Sequence, residues 1–324
     1  MSGIKCPNCD AMVEVPPQSS TVVCSYCNTT IQTRTGTILK ENYMMRLQFG
    51  LEAAREKMLS WAMKQLGAPK GLENAQIKES KMIFWPFWVV EVEARADYTG
   101  IQKKPDFKGQ DVQHSLHWNQ ITETGRIDFE KDIFIPANPD TPKSLLEYVI
   151  PTKRKEFFNK DKIIEIYGTT MPVQMEQREA IEKATAIMKE ALHEEALKEV
   201  DTIKEMKSDL QTPAVFLISV PIWHIKYTYN VRTYNALVDG ASGRIVHLTF
   251  PRKVAFRAMT LFSGLLHLGV GGGIGLLLVY LGWRVSDFIF PTVFGIAFGL
   301  GMLAISLIFF RTAASLRAGM EEAR

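Results

Sequence analysis

Four cysteines fall within the first 27 residues, as Cys6-Pro-Asn-Cys9 and Cys24-Ser-Tyr-Cys27. Fourteen residues, Asp10 to Val23, separate the two pairs. A C-x-x-C turn points two thiolates at one point. Two such turns supply the four ligands of a tetrahedral metal, with zinc–sulfur distances of about 2.3 Å. The reading is structural Zn2+ on Cys6, Cys9, Cys24 and Cys27. With all four positions filled by protein, none remains for water or substrate. The competing chemistry, two redox pairs, lacks the βαβ surroundings that such pairs need. No apolar leader precedes Cys6, so the sequence implies a cytoplasmic segment, where clustered cysteines favour metal over disulfides.

Two short strand-like segments, Met12–Val15 and Thr21–Val23, are expected to pair and bring the turns together. Residues 1–36 then form a zinc ribbon. It is too small for a core of its own, so the metal supplies its folding energy, and metal loss is expected to unfold only roughly the first 30 residues. The segment resembles the zinc ribbons of general transcription factors and rubredoxin-like modules. Asn28 stands where a glycine is frequent in those modules, and asparagine tolerates the same left-handed turn.

The next 215 residues, 37 to 251, read as α+β. A helix is expected over 40–66, with Leu47, Leu51, Ala54, Met58, Trp61, Ala62 and Leu66 on one face. Strands are expected over Ile83–Tyr98, Val112–Thr122, Arg126–Ile135 and Ser144–Ile150, separated by Gly125, Pro136, Pro139 and Pro142. A second helix is expected over Val173–Met206, and strands over Val215–Val246. Pro86-Phe87-Trp88 matches Pro221-Ile222-Trp223. This suggests a diverged duplication, with a first unit at 37–150 and a second at 151–251. Within the second, the turn from Val238 to Arg244 resembles the closing hairpin of PepSY-type domains. Asp239 would cap that turn, and Gly240 and Gly243 would take positive φ.

Residues 252–324 read as a membrane hairpin with a short tail. The runs Ala258–Trp283 and Phe288–Phe310 carry no charge, and each exceeds the roughly 20 residues that cross a bilayer. Arg252, Lys253 and Arg257 flank one end, with Arg311, Arg317 and Arg324 at the other. The turn has only Arg284, so both termini are expected on the cytoplasmic side of the cell membrane. Tyr280 and Trp283 suit an outer aromatic belt. Gly269/Gly273, Gly271/Gly275 and Gly295/Gly299 make grooves for helix packing, with self-association or a partner span as a second use. His267 is a polar ring inside a span, expected to serve a helix–helix or interfacial hydrogen bond.

Other chemistry is sparse. The sequence has no phosphate loop, nucleophile elbow, H-E-x-x-H or dinucleotide fingerprint. His114 and His117 fall on opposite faces of the expected strand. Trp85, Trp88, Trp223 and His224 read as core or satisfied sheet residues. Net charge is only +3, unlike the strongly basic domains that bind nucleic acid.

The order of parts resembles a family of bacterial and archaeal membrane proteins that carry transcription-factor-type zinc ribbons. Some of these are encoded beside SPFH (flotillin-like) or phage-shock PspA-like proteins. The resemblance implies a membrane-anchored scaffold that recruits protein partners to the inner membrane face; the lack of recognisable catalytic groups adds the expectation that it is not an enzyme. The alternatives are a membrane-tethered nucleic-acid-binding regulator and an enzyme with an unrecognised site.

Overall fold

The computed structural model describes residues 2–65, 67–105, 118–251, 254–284 and 289–317. Several expectations lie outside the described residues: the His114/His117 pair, the start of the expected 112–122 strand, Leu66, the flanking Arg252, Lys253 and Arg324, and the turn at 285–288. The side chains of Arg257 and Arg317 lie outside them too.

The elements run, in chain order, β1 (Ser2–Lys5), β2 (Met12–Val15), β3 (Thr21–Val23), β4 (Thr30–Gln32), β5 (Asn42–Met45), α1 (Leu51–Met63), β6 (Gln76–Pro105) and β7 (Trp118–Pro136). Then come α2 (Lys143–Leu146), β8 (Lys155–Phe157), α3 (Lys160–Glu165), β9 (Thr169–Thr170), α4 (Gln177–Glu199), β10 (Thr202–Gln211) and β11 (Val215–Tyr229). The chain continues with β12 (Arg232–Asp239), β13 (Ile245–Leu248), α5 (Val254–Arg284) and α6 (Ile289–Arg317). Helix and sheet are mixed, as expected. Two compact units form, one from Met1–Gln48 with Met82–Ile222, the other from Phe49–Lys81 with Trp223–Arg324. Compactness thus groups the chain differently from its order: one boundary falls between β5 and α1, and the other two fall inside β6 and β11.

In the first unit, β6 pairs antiparallel with β7, from Phe87↔Pro136 to Pro105↔Trp118, and with β10, from Thr202↔Ile101 to Gln211↔Glu93. A strand sends alternate side chains to one face. Trp88, Val90, Val92, Ala94, Ala96 and Tyr98 therefore share the buried face of β6. Onto that face α4 lays Ala180, Ala184, Met188, Leu192 and Ala196, one per turn. Small alanines let the helix approach closely, and Met188 and Leu192 fill the remaining space. In the second unit, α1 lays Ala54, Met58 and Ala62 against Tyr227, Tyr234, Ala236, Val238 and Leu248.

Several expectations change. The 40–66 helix starts only at Leu51. Residues 42–45 form β5, parallel to β11, with Asn42, Met44 and Met45 all buried, a run no single helix face provides. Gly50, extended at φ −67° and ψ 177°, precedes the helix. The expected break at Gly125 is absent: β7 runs through it, because the ring of Tyr98 covers the space a Cβ would need. Residues 144–150 are not a strand, since α2 follows Pro142 and only Leu145 of it is buried. The long second helix stops at Glu199. Val200 turns extended (φ −129°, ψ 145°), and the Lys/Glu-rich stretch behind it is the edge strand β10. The composition of that stretch mimics the solvated face of a helix and hides the boundary.

The closing turn after β12 forms as a hairpin with β13. Asp239 is fully buried and its carboxylate accepts from the Ala241 N–H at 2.8 Å. Gly243 alone takes positive φ (70°); Gly240 does not.

The chain carries two helices long and apolar enough to cross a membrane, Ala258–Arg284 and Thr292–Thr312. Only 17% and 11% of their apolar windows are buried. They pack on each other through part of the glycine pattern. A Cβ on Gly275 would lie 3.0 Å from the Gly295 carbonyl oxygen, and one on Gly295 would lie 2.8 Å from the Gly275 carbonyl oxygen. Ser306 donates its hydroxyl to the Gly264 carbonyl at 2.8 Å. His267 bonds the Ser263 carbonyl within its own helix at 2.7 Å and packs against Phe309, with centroids 5.3 Å apart and ring planes tilted by 31°. This is a packing role. Gly269 and Gly273, by contrast, have open space around them. Gly295→Leu is therefore expected to force α5 and α6 apart and to destabilise the hairpin by about 1–3 kcal/mol, the usual overpacking cost. Gly273→Leu should cost almost nothing. Spin-label distances across the two helices would read this, and equal effects of both variants would contradict the packing.

Candidate metal centre

The ribbon is built from two hairpins with the same end. β1 pairs with β2, and β3 with β4. The expected pairing of β2 with β3 does not occur, because each of these strands is already an arm of its own cysteine turn. In the first turn the Cys6 N–H donates to the Ala11 carbonyl at 2.8 Å, and the Asp10 N–H returns to the Cys6 carbonyl at 3.0 Å. In the second, the Cys24 N–H donates to Thr29 at 2.9 Å and the Asn28 N–H to Cys24 at 3.0 Å. Asp10 (φ 60°) and Asn28 (φ 57°) occupy the left-handed position that each turn requires. Both are residue types that adopt it readily.

The turns bring all four Sγ atoms within 4.8 Å of one another. Cys6 and Cys27 sulfurs are 3.7 Å apart, and those of Cys9 and Cys24 are 3.6 Å apart. A tetrahedral ion bound at about 2.3 Å sets its sulfurs about 3.8 Å apart, so the four side chains fit one metal ion. Cys6 and Cys24 are buried, Cys27 is half-buried and Cys9 is exposed. The Thr29 side chain, then that of Asn8, hold the Cys27 thiol down at about 5. At Cys9 the bond to the Ala11 backbone lowers the pKa, but hydrogen bonds to the other thiols, Cys27 first, push it up to about 12. Sulfurs this close resist sharing negative charge, and a divalent cation relieves that repulsion.

The site is not an isolated module. Within the first unit the ribbon grips the segment that leads into α4. Ser20 donates its N–H to the Val173 carbonyl at 2.7 Å and its hydroxyl to the Met175 carbonyl at 2.9 Å. The same Met175 carbonyl accepts the Trp88 indole N–H at 2.9 Å. The Gln32 amide donates to Gln177 at 2.9 Å, and Asn28 donates to Asp161 on α3 at 2.8 Å. Nothing in the sequence announced these ties: α3 was not foreseen, and Asn28 and Asp161 lie 133 residues apart.

Trp85 and Trp88 are core residues, 4% and 0% exposed. Trp223 donates its indole N–H to the Phe49 carbonyl at 2.8 Å. Burial pushes His224 down to about 4, so it is neutral at pH 7. Comparisons with protein-family models, with curated proteins and with solved structures find no match for this chain.

Proposed function

We propose that the chain is a membrane-anchored scaffold that recruits cytoplasmic protein partners to the inner membrane face. The ion in the four-cysteine site is structural zinc: a four-thiolate set suits Zn2+, and its closed shell leaves no position for substrate. α5 and α6 span the bilayer as a hairpin with both termini cytoplasmic, an orientation supported by the basic flanks. The observation that carries the reading is the combination of a closed metal site at one end of the chain with an exposed apolar hairpin at the other. SPFH-like or PspA-like proteins are the partners suggested by the family resemblance.

The cytoplasmic region is read as a duplication whose helices have changed places. Trp88 donates to the Met175 carbonyl, and the Met175 N–H donates to the Ala137 carbonyl at 3.1 Å. Trp223 donates to the Phe49 carbonyl, and the Phe49 N–H donates to the Gly240 carbonyl at 2.9 Å. Met175 and Phe49 each stand two residues before a helix; Ala137 and Gly240 each follow the last residue of a strand. In that alignment Ala54, Met58 and Ala62 fall on Ala180, Ala184 and Met188, and Ala-Arg-Glu-Lys on Ala-Ile-Glu-Lys. The helix of the first copy packs in the second unit, and the helix of the second copy in the first.

Affinity purification of the full-length protein from detergent-solubilised membranes tests the scaffold. A near-stoichiometric protein partner is expected after crosslinking in native membranes. A protein recovered alone, with and without crosslinker, would overturn the reading.

A further inference from the structure

In the second unit, Asn230 and Val231 alone join β11 to β12, both at positive φ (44° and 68°). A two-residue turn of this kind favours Asn-Gly, because its second position is left-handed. Valine there is strained, since its branched side chain crowds the backbone. Val231 is fully exposed, so no packing among the described residues offsets that strain. The chain leaves for α5 at the same end. β13 runs antiparallel to β12, from Ile245 opposite Val238 to Leu248 opposite Ala236. Thr249 continues that ladder: the Asn235 N–H donates to its Oγ1 at 2.7 Å, and its own N–H donates to the Asn235 carbonyl at 2.9 Å. The chain is thus heading towards the tip when it leaves the sheet, and α5 begins soon after, at Val254. α1 also ends here. Its Trp61 packs edge-on against Phe250, with centroids 5.9 Å apart, and exposed Lys64 follows its last turn. Tyr229 donates its hydroxyl to the Lys70 carbonyl at 3.0 Å, which sets exposed Lys70 beside the tip. Exposed Arg232 follows the turn, and exposed Glu73 offsets part of this positive charge.

We infer that this end of the second unit docks on the anionic headgroup layer of a bilayer. Val231 enters the layer, and Lys64, Lys70 and Arg232 meet the lipid phosphates. The inference rests on the reading of α5 and α6 as membrane spans. The occupant follows from the chain path, because α5 carries the chain into the bilayer from the end where the tip stands. An apolar side chain gains by leaving water for the headgroup boundary, and basic residues close to an anionic surface add to that attraction. In water the left-handed valine only strains the turn. At the interface its two methyl groups are buried, which a glycine there could not offer. The tip would thus hold the sheet of the second unit at a fixed angle to the membrane, as a second contact beside the spans.

The test places the photo-crosslinking residue p-benzoylphenylalanine at Val231, Glu52 or Leu276, one at a time, in the full-length protein reconstituted into vesicles. Lipid adducts are then measured by mass spectrometry. Glu52 is exposed in the first turn of α1, at the far end of the unit, where the Phe49 N–H meets the Gly240 carbonyl. Leu276 is 73% exposed within α5. In phosphatidylcholine vesicles with about a third phosphatidylglycerol, Val231 and Leu276 should give adducts well above the Glu52 level. Omitting the phosphatidylglycerol should lower the yield at Val231 roughly fivefold, the weight of about one basic residue at an anionic surface, and leave Leu276 unchanged. Lys70→Glu combined with Arg232→Glu should do the same. Adducts at Leu276 with Val231 at the Glu52 level would overturn the docking and leave the spans standing. An absence of adducts at Leu276 would overturn both. Equal yields at Val231 in the two lipid mixtures would overturn the assignment to anionic headgroups, and that comparison needs no charge variant to fold.

Discussion

Replacing Cys24 and Cys27 by serine is expected to remove about one metal ion per chain and to loosen far more than the ribbon, because a structural metal of the kind proposed above, zinc, contributes roughly 10 kcal/mol or more to folding its own segment. The first unit uses that segment as a clamp. Without the metal, the hairpins no longer hold Ser20, Asn28 and Gln32 in place. The carbonyls of Val173 and Met175 then lose their ribbon donors. Each such bond is worth about 0.5–1.5 kcal/mol. The exposed Arg34–Glu176 pair, with side chains 76% and 43% exposed, adds about 0–1 kcal/mol. The Ser20 bonds therefore decide the outcome rather than the ion pair. Hydrogen exchange should quicken over residues 2–38 and again over 169–181, while 51–63 and 223–239 keep their protection. Metal content by elemental analysis supplies the control. Faster exchange confined to the first 36 residues would restore the picture of an independent ribbon.

The same residues show what a sequence discloses. The cysteine spacing was legible because ligand chemistry dictates it locally: two turns, each closed within five residues. The left-handed residue after the second pair was legible for the same reason. So were the two long apolar helices, since an uncharged run of that length stands out from any other part of the chain. The ties of the ribbon to α4 were not legible, because hydrogen bonds across 130–155 residues leave no periodicity. β5 and β10 were misread through composition. Four buried or half-buried residues in a row, and a Lys/Glu-rich edge, both look helical until the sheet that pairs with them is known. The glycine pattern was half informative. Spacing identified three grooves, but only packing distinguishes Gly275 and Gly295, which touch, from Gly269 and Gly273, which face open space.

Trp88→Ala is expected to cost about 3–5 kcal/mol, enough to unfold much of the first unit at moderate denaturant, since it empties the largest fully buried side chain among the described residues. The milder change Trp88→Phe is the sharper test, because it removes the indole N–H and keeps most of the ring. The Met175 carbonyl then relies on Ser20 alone, and the first turn of α4 should exchange its amides faster, near residues 177–184. Trp223→Phe should do the same to α1, near residues 51–58, because Phe49 stands to that helix as Met175 stands to α4. Each tryptophan thus governs a helix encoded in the other half of the chain, Trp88 one that starts 89 residues later and Trp223 one that starts 172 residues earlier. A local unfolding cost of about 1 kcal/mol per lost bond corresponds to roughly fivefold faster exchange. If Trp88→Phe loosened α1, or if neither helix responded, the two tryptophans would not be equivalent positions and the duplicated, helix-exchanged arrangement would lose its main support.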